Sequence, residues 1–169
     1  MFNILLVCTG NVCRTPMAEY LLKNLIKREY LHYLAQVESA GTGALEGYPA
    51  AEFTTLVCEQ YGIDTTLHQS RPITLEMVKQ ADLILCMGLN NKQQLLESYP
   101  DFEDKIFLLR QFGTHNSGKF HTIEDPYGGP RDSYEKAFLE IREEIFRVWP
   151  EITRRIEEKW VQEHETKRR

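Results

Sequence analysis

The sequence has little of what would tie it to a membrane, a nucleic acid or an oxidising compartment. No stretch approaches the roughly 20 consecutive apolar residues that cross a bilayer. The opening apolar run, Ile4 to Cys8, is too short for a secretory leader and has no basic segment before it. Positive charge is also scarce: 20 lysines and arginines stand against 25 aspartates and glutamates, for a net charge of -5 and a pI near 5.6. Such a chain has no overall basic field to release counterions from a phosphate backbone, which argues against nucleic acid as a partner. The densest basic runs, Lys27-Arg28 and Lys167-Arg168-Arg169, are short and read as solvated surface. The expectation is a soluble, cytoplasmic protein without membrane insertion.

Cysteine is sparse too. Cys8, Cys13, Cys58 and Cys86 show neither zinc-site pairing nor the density of a secreted disulfide framework, so free thiols are expected. His32, His115 and His121 lack metal-ligand spacing and read as surface or loop residues, and no metal site is expected. Repeats, low-complexity tracts and linkers are missing; only Gly113 to Gly118 reads as a polar loop, expected to be mobile. A 169-residue chain with 42% apolar composition then points to one domain over residues 1–169, with a helical extension after about residue 150.

What is present is an alternation of buried strands and amphipathic helices. Phe2 to Cys8 is an apolar run without alternation, as a strand buried on both faces of a parallel sheet reads. From Thr15-Pro16 the period becomes helical, with Met17, Leu21, Leu22, Leu25 and Ile26 on one face. Val37 to Ala40 predicts a strand, and Tyr48-Pro49 leads into a helix that Gly62 stops after Tyr61. Ala81 to Met87 and Lys105 to Leu109 predict two more strands, with a helix over Leu89 to Tyr99 between them. Ser133 to about Lys159 predicts a long terminal helix, bent or broken near Pro150, with a core stripe from Phe138 to Ile156. Together these predict an α/β three-layer sandwich: a four-stranded parallel sheet, flavodoxin-like, with helices on both faces. Ligands of such sheets bind beyond the carboxyl ends of the strands.

One loop stands at such an end. In Cys8-Thr9-Gly10-Asn11-Val12-Cys13-Arg14 a cysteine and an arginine lie six apart between a strand and a helix start. Backbone N–H groups of the turn and the helix N-terminus there converge on one point, which suits a tetrahedral dianion such as phosphate or sulfate. The same donors would stabilise a thiolate at Cys8, and Arg14 offers a planar fork for two phosphoryl oxygens. Gly10 permits close approach or a positive φ, and Asn11 tolerates a left-handed turn. Thr15 can direct its hydroxyl at the Cys8 sulfur. Taken alone, this spacing also fits a buried cysteine ending a strand and an unrelated surface arginine.

The longer stretch Val7 to Glu19, VCTGNVCRTPMAE, closely resembles the signature of low-molecular-weight protein-tyrosine phosphatases, and the resemblance extends through Ser39-Ala40-Gly41-Thr42, His68-Gln69-Ser70-Arg71 and Ala81 to Met87. It implies a phosphatase that forms a cysteinyl-phosphate at Cys8, with the loop Thr9, Gly10, Asn11, Val12, Cys13 and Thr15 around the phosphate and no metal or organic cofactor. It also implies that Asp125, in Glu124-Asp125-Pro126-Tyr127, is the general acid, and that Ser39 and His68 support Asn11. Leu45 and Tyr127 fall where the family builds a wall beside the phosphotyrosine ring; Cys13 falls where relatives form a reversible disulfide with the nucleophile. The implied partner is a phosphorylated protein, in bacteria a tyrosine kinase.

Two departures bear on the substrate. Leu45 stands where several members have an aromatic residue, and Gly128-Gly129 follow Tyr127 where many have a second tyrosine. An Asp-Pro-aromatic-Gly-Gly run also resembles bacterial protein-arginine phosphatases of the same fold, but those carry threonine where this chain has Val12, so phosphotyrosine is the expected substrate and phosphoarginine the alternative. Thioredoxin-coupled arsenate reductases share the cysteine-to-arginine loop, yet need two further cysteines on a mobile segment, whereas Cys86 lies in an apolar strand with no cysteine after it.

Overall fold

Four apolar residues in succession, Ile4 to Val7, cannot all face one side of a strand, and β1 (Phe2–Cys8) resolves this by being covered on both. The computed structural model describes residues 1–113 and 122–166; the expectations for His115, His121, the run 167–169 and all of the 113–118 loop beyond Gly113 lie outside these. Phe2, Ile4, Leu6 and Cys8 point into one cluster, Leu5 and Val7 into another. The first cluster is closed by α1 (Arg14–Arg28), α2 (Glu52–Gln60) and α5 (Arg131–Thr166), the second by α3 (Leu75–Gln80) and α4 (Leu89–Ser98). The result is the three-layer α/β sandwich expected.

The strands β2 (Ala35–Gly41), β3 (Leu83–Cys86) and β4 (Ile106–Leu108) complete a parallel sheet in the order β2-β1-β3-β4. From β1 the chain crosses first to β2 and then back past β1 to β3. The strand order therefore reverses at the carboxyl end of β1, where a crevice opens in sheets of this kind. Cys8 is the last residue of that strand.

The elements differ from the sequence expectation in three places. α3 has no apolar period long enough to announce it; it forms because Thr74 caps it, its side chain accepting the N–H of Met77 at 3.3 Å, and because Val78 seals the second cluster. A 3₁₀ turn at Pro100–Lys105 was likewise not expected. The terminal helix is not broken at Pro150: α5 continues through it to Thr166. Pro150 faces solvent, so the carbonyl of Phe146 that loses its partner can turn to water, while Ile145, Val148, Ile152 and Ile156 hold both halves against the core.

Glu151 clamps the turn that follows the proline. Its carboxylate accepts from Arg154 Nε and Nη2, both at 2.8 Å, and from Arg155 Nε at 2.9 Å, which holds it down at about 2 instead of 4.5. A carboxyl depressed in the folded state stabilises above its unfolded value, and that contribution is lost as pH falls from about 4.5 towards 2. The partly exposed setting screens the pair, so Glu151→Gln is expected to cost about 1 kcal/mol at pH 7 and progressively less as the pH approaches 2. Urea unfolding of both proteins at pH 7 and pH 3 measures it; a constant difference would contradict the clamp.

Candidate active site

The chain leaves β1 at Cys8, reverses through Thr9 to Cys13 and enters α1 at Arg14. The positive φ this reversal needs falls on Asn11, at 56°, and not on Gly10. The Asn11 N–H thereby turns to the Cys8 sulfur at 3.3 Å, and Thr15 Oγ1 lies 3.1 Å from the same atom. Arg14 is 3% exposed; its Nη1 donates to the Ile123 carbonyl at 2.8 Å, and its Nη2 stands 3.3 Å from Asp125 Oδ2. Its Nε–H is buried without a hydrogen-bond partner among the described residues. Asp125, 44% exposed, reaches the same place from the opposite side of the sheet end, its Oδ1 accepting the N–H of Tyr127 at 3.1 Å. Cys8 and Asp125, 117 positions apart, thus line one cavity, and Arg14 adjoins it through its contact with Asp125.

A left-handed, fully buried asparagine is held there by all of its polar atoms. Asn11 Nδ2 donates to Thr15 Oγ1 and Ser39 Oγ, each at 2.8 Å; Oδ1 accepts from the Arg71 N–H at 2.9 Å; the carbonyl accepts from His68 Nε2 at 2.6 Å. These bonds fix the hydroxyl directions. Because Thr15 Oγ1 already accepts from Asn11, its own proton is free to point at the Cys8 sulfur, and because Ser39 Oγ accepts from Asn11, its proton goes to Glu19 Oε2 in a very short contact. Glu19 is buried, bonded to Lys23 Nζ at 2.5 Å and 3.8 Å from His68 Nδ1. Burial pushes His68 below its ordinary 6.5, with the Asn11 carbonyl and the Glu19 carboxylate pulling the other way. The two donors on the Cys8 sulfur suit a thiolate acceptor better than a neutral thiol.

The loop also rests on the end of β2. Thr42 N–H donates to the Cys8 carbonyl at 2.9 Å and Gly43 N–H to that of Thr9 at 3.0 Å. This approach is possible only at a glycine: a Cβ on Gly41 would lie 2.3 Å from the Thr9 carbonyl oxygen.

Beyond the loop a cavity of about 580 Å³ opens over Cys8. Leu45 and Tyr127, 68% and 73% exposed, line it, with Tyr48 and Pro49 extending the apolar side. Val12 and Cys13 line its base. Cys13 faces Tyr134 Oη at 3.8 Å, and burial pushes its thiol up to about 11; Cys58 and Cys86 are pushed up to about 12 for the same reason. Thr9, also on the cavity lining, accepts from Asn91 Nδ2 through its hydroxyl at 3.1 Å.

Four residues of this site were not identified in the sequence reading: Glu19, Ser70, Arg71 and Asn91. Glu19 had a legible signal, since a carboxylate on the same helical face as Thr15, Leu22 and Ile26 must be buried and therefore bonded. Ser70 had no local one. It accepts the Tyr48 N–H at 3.0 Å, donates to the Leu45 carbonyl at 2.5 Å, and its backbone bonds Gly47 N–H and the Tyr48 carbonyl, both at 2.7 Å, so the apolar wall is held rigid from behind. Among the described residues no helix is long and apolar enough to cross a membrane.

Residues 3–160 match the model of the family described as low molecular weight phosphotyrosine protein phosphatase. The chain is 39% identical over 140 residues to a low molecular weight protein-tyrosine-phosphatase, Ptp, of Acinetobacter johnsonii, covering 83% of this chain and 90% of that one. It is 37% identical to a protein-arginine-phosphatase of Geobacillus stearothermophilus, covering 87% and 93%. Among solved structures it resembles the low molecular weight protein tyrosine phosphatase from T. tengcongensis, with a TM-score of 0.81, 36% identity and coverage of 89% and 99%.

Proposed function

The chain belongs to the low-molecular-weight phosphotyrosine protein phosphatase family, and from that membership we propose that it hydrolyses phosphotyrosine in proteins through a phosphocysteine at Cys8. The observation that carries this reading is that Cys8 and Asp125 line one cavity at a helix start, with Arg14 held against Asp125 beside it. The Cys8 thiolate attacks phosphorus, the P–O bond to the phenol breaks, and the departing oxygen takes the proton of Asp125. Arg14 and the loop amides hold the equatorial oxygens, with Nε supplying a donor that has no partner among the described residues. Water then attacks the phosphocysteine, giving its proton to the Asp125 carboxylate, and the thiolate leaves towards Asn11 N–H and Thr15 Oγ–H. Cys13, a thiol at neutral pH, is in reach of the loop to serve as a disulfide partner when Cys8 is oxidised. The substrate is a cytoplasmic phosphoprotein, a bacterial tyrosine kinase by family analogy.

Arginine dephosphorylation is the second reading, because the arginine phosphatase relative is nearly as similar, 37% against 39%. Val12 favours tyrosine: a branched apolar side chain at the cavity base offers no hydroxyl to a guanidinium. Purified protein is expected to show a higher kcat/KM on phosphotyrosine peptides than on matched phosphoarginine peptides. Equal or greater turnover of phosphoarginine would overturn the substrate, and turnover of neither would overturn the activity.

A further inference from the structure

The cavity beyond the phosphate loop carries an unbalanced charge. Its walls are apolar at Leu45, Tyr48, Pro49 and Tyr127, and the ionisable side chains on it besides the Cys8 and Cys13 thiols and the two tyrosines are the carboxylates of Asp125 and Glu52. Among the described residues no lysine or arginine lines it, and Arg14, which is buried, is paired with Asp125. Glu52 has no ion pair and no side-chain hydrogen bond among the described residues. The second cavity of the molecule, between α1 and β2, is different: Lys23 pairs with Glu19 and Arg71 with Glu38, so its charges are satisfied within the chain.

Glu52 opens α2, where a carboxylate complements the positive end of the helix, and Ala51 before it has no side chain to cap the turn. That role explains an acid at this position. It does not require the acid to line the cavity, where a bound phosphoprotein must pass. The wall between Leu45 and Tyr48 is held by Ser70, and Glu52 is anchored by its helix, so the charge is presented from a rigid surface.

We infer that Glu52 is a specificity-determining residue that selects phosphoprotein segments with a lysine or arginine next to the phosphorylated residue. The inference rests on the phosphatase activity proposed for Cys8. With the phosphate in the loop and the side chain against the Leu45 wall, the flanking residues of the substrate lie at the cavity mouth. There a neighbouring cation meets Glu52 favourably and a neighbouring carboxylate is repelled.

The test uses two phosphotyrosine peptides that differ only in carrying lysine or glutamate on either side of the phosphotyrosine. At low salt the lysine peptide is expected to have the higher kcat/KM by about five-fold, the scale of exposed charge pairs. Glu52→Gln should bring the ratio close to one and Glu52→Lys should invert it; a purely helix-capping Glu52 would change stability and leave the ratio where it was. If either variant fails to fold, the wild-type protein still decides: raising the salt concentration should shrink the ratio towards one. A wild-type ratio of one or below, a ratio unmoved by Glu52→Gln, or one indifferent to salt overturns the inference. Should neither peptide be hydrolysed, the proposed activity fails, and the same flanks on phosphoarginine peptides decide the inference separately; a ratio of one there, or no turnover of those either, removes it.

Discussion

Cys8→Ser is expected to lower the release of phosphate from an aryl phosphate by at least about 10⁴-fold while leaving phosphate binding nearly intact. Serine keeps the shape of the side chain and the bonds that define the loop, including the four that hold Asn11, because none of those passes through the sulfur. What it removes is an anion that the Asn11 N–H and the Thr15 hydroxyl can stabilise. A hydroxyl remains protonated at neutral pH, and the alkoxide is a poor leaving group in the second step, so both halves of turnover suffer. Arg14 and the loop amides remain, and phosphate affinity measured by calorimetry should change by no more than a few-fold. The thiols themselves supply a control. With Cys13 raised to about 11 and Cys58 and Cys86 to about 12, iodoacetate at pH 7 should modify one cysteine of the native protein, should be blocked by phosphate, and should modify none in Cys8→Ser. Turnover near the wild-type rate in the serine variant would end the case for a covalent intermediate.

How much of this could be read before the fold was seen depends on what kind of signal each residue leaves. β1 and α1 announce themselves because a two-sided apolar strand and a 3.6-residue stripe are imposed by burial, and the loop between them inherits its place at the sheet end from those neighbours. Asp125 is legible only through resemblance, since nothing local distinguishes a catalytic Asp-Pro from a turn. Ser70, apart from lying in a stretch of family resemblance, and Asn91 leave no local signal of their roles: each acts by bonding hydroxyls or backbone groups from distant parts of the chain, Asn91 reaching Thr9 and Thr42 across 82 and 49 positions. Glu19 lies between these cases, a carboxylate on an apolar face whose partner could not be named, though its burial could. Which loop residue takes the positive φ has the same origin. Gly10 is the residue with conformational freedom, but the positive φ goes to Asn11, because only a side chain with both donors and an acceptor can tie the turn to Thr15, Ser39 and Arg71 at once.

The strain of that turn explains why the support is so dense and why the acid stands apart from it. A non-glycine residue at φ 56° costs on the order of 1 kcal/mol, and a buried residue with three side-chain contacts and one at its carbonyl offsets it only if every one is made. The nucleophile is therefore held by a network reaching to Glu19 and His68, while Asp125 is held, among the described residues, by one ion pair to Arg14 and one bond from the Tyr127 N–H. An acid that must give and take a proton needs access to solvent, and at 44% exposure it has that access.

Asp125→Asn should then separate the two functions of the site. The amide can still accept the Tyr127 N–H, so the loop keeps its shape, and the nucleophile is untouched. What is lost is the proton handed to the leaving oxygen, a contribution of about 10²- to 10⁴-fold in general acid catalysis. The loss must depend on how badly the leaving group needs that proton. For phosphotyrosine or phenyl phosphate, kcat should fall by about 10³-fold; for p-nitrophenyl phosphate, whose anion departs unaided more readily, the fall in forming the phosphocysteine should be nearer ten-fold. The limb of the pH profile that reports the acid should disappear for the poor leaving groups. Water attack on the phosphocysteine also loses its base, so the intermediate should accumulate when the good leaving group is used, visible as a burst of nitrophenol matching the enzyme concentration. If the same fall appears with every leaving group and no burst is seen, the carboxylate acts only by orienting Arg14 through their 3.3 Å contact, and the proton comes from elsewhere.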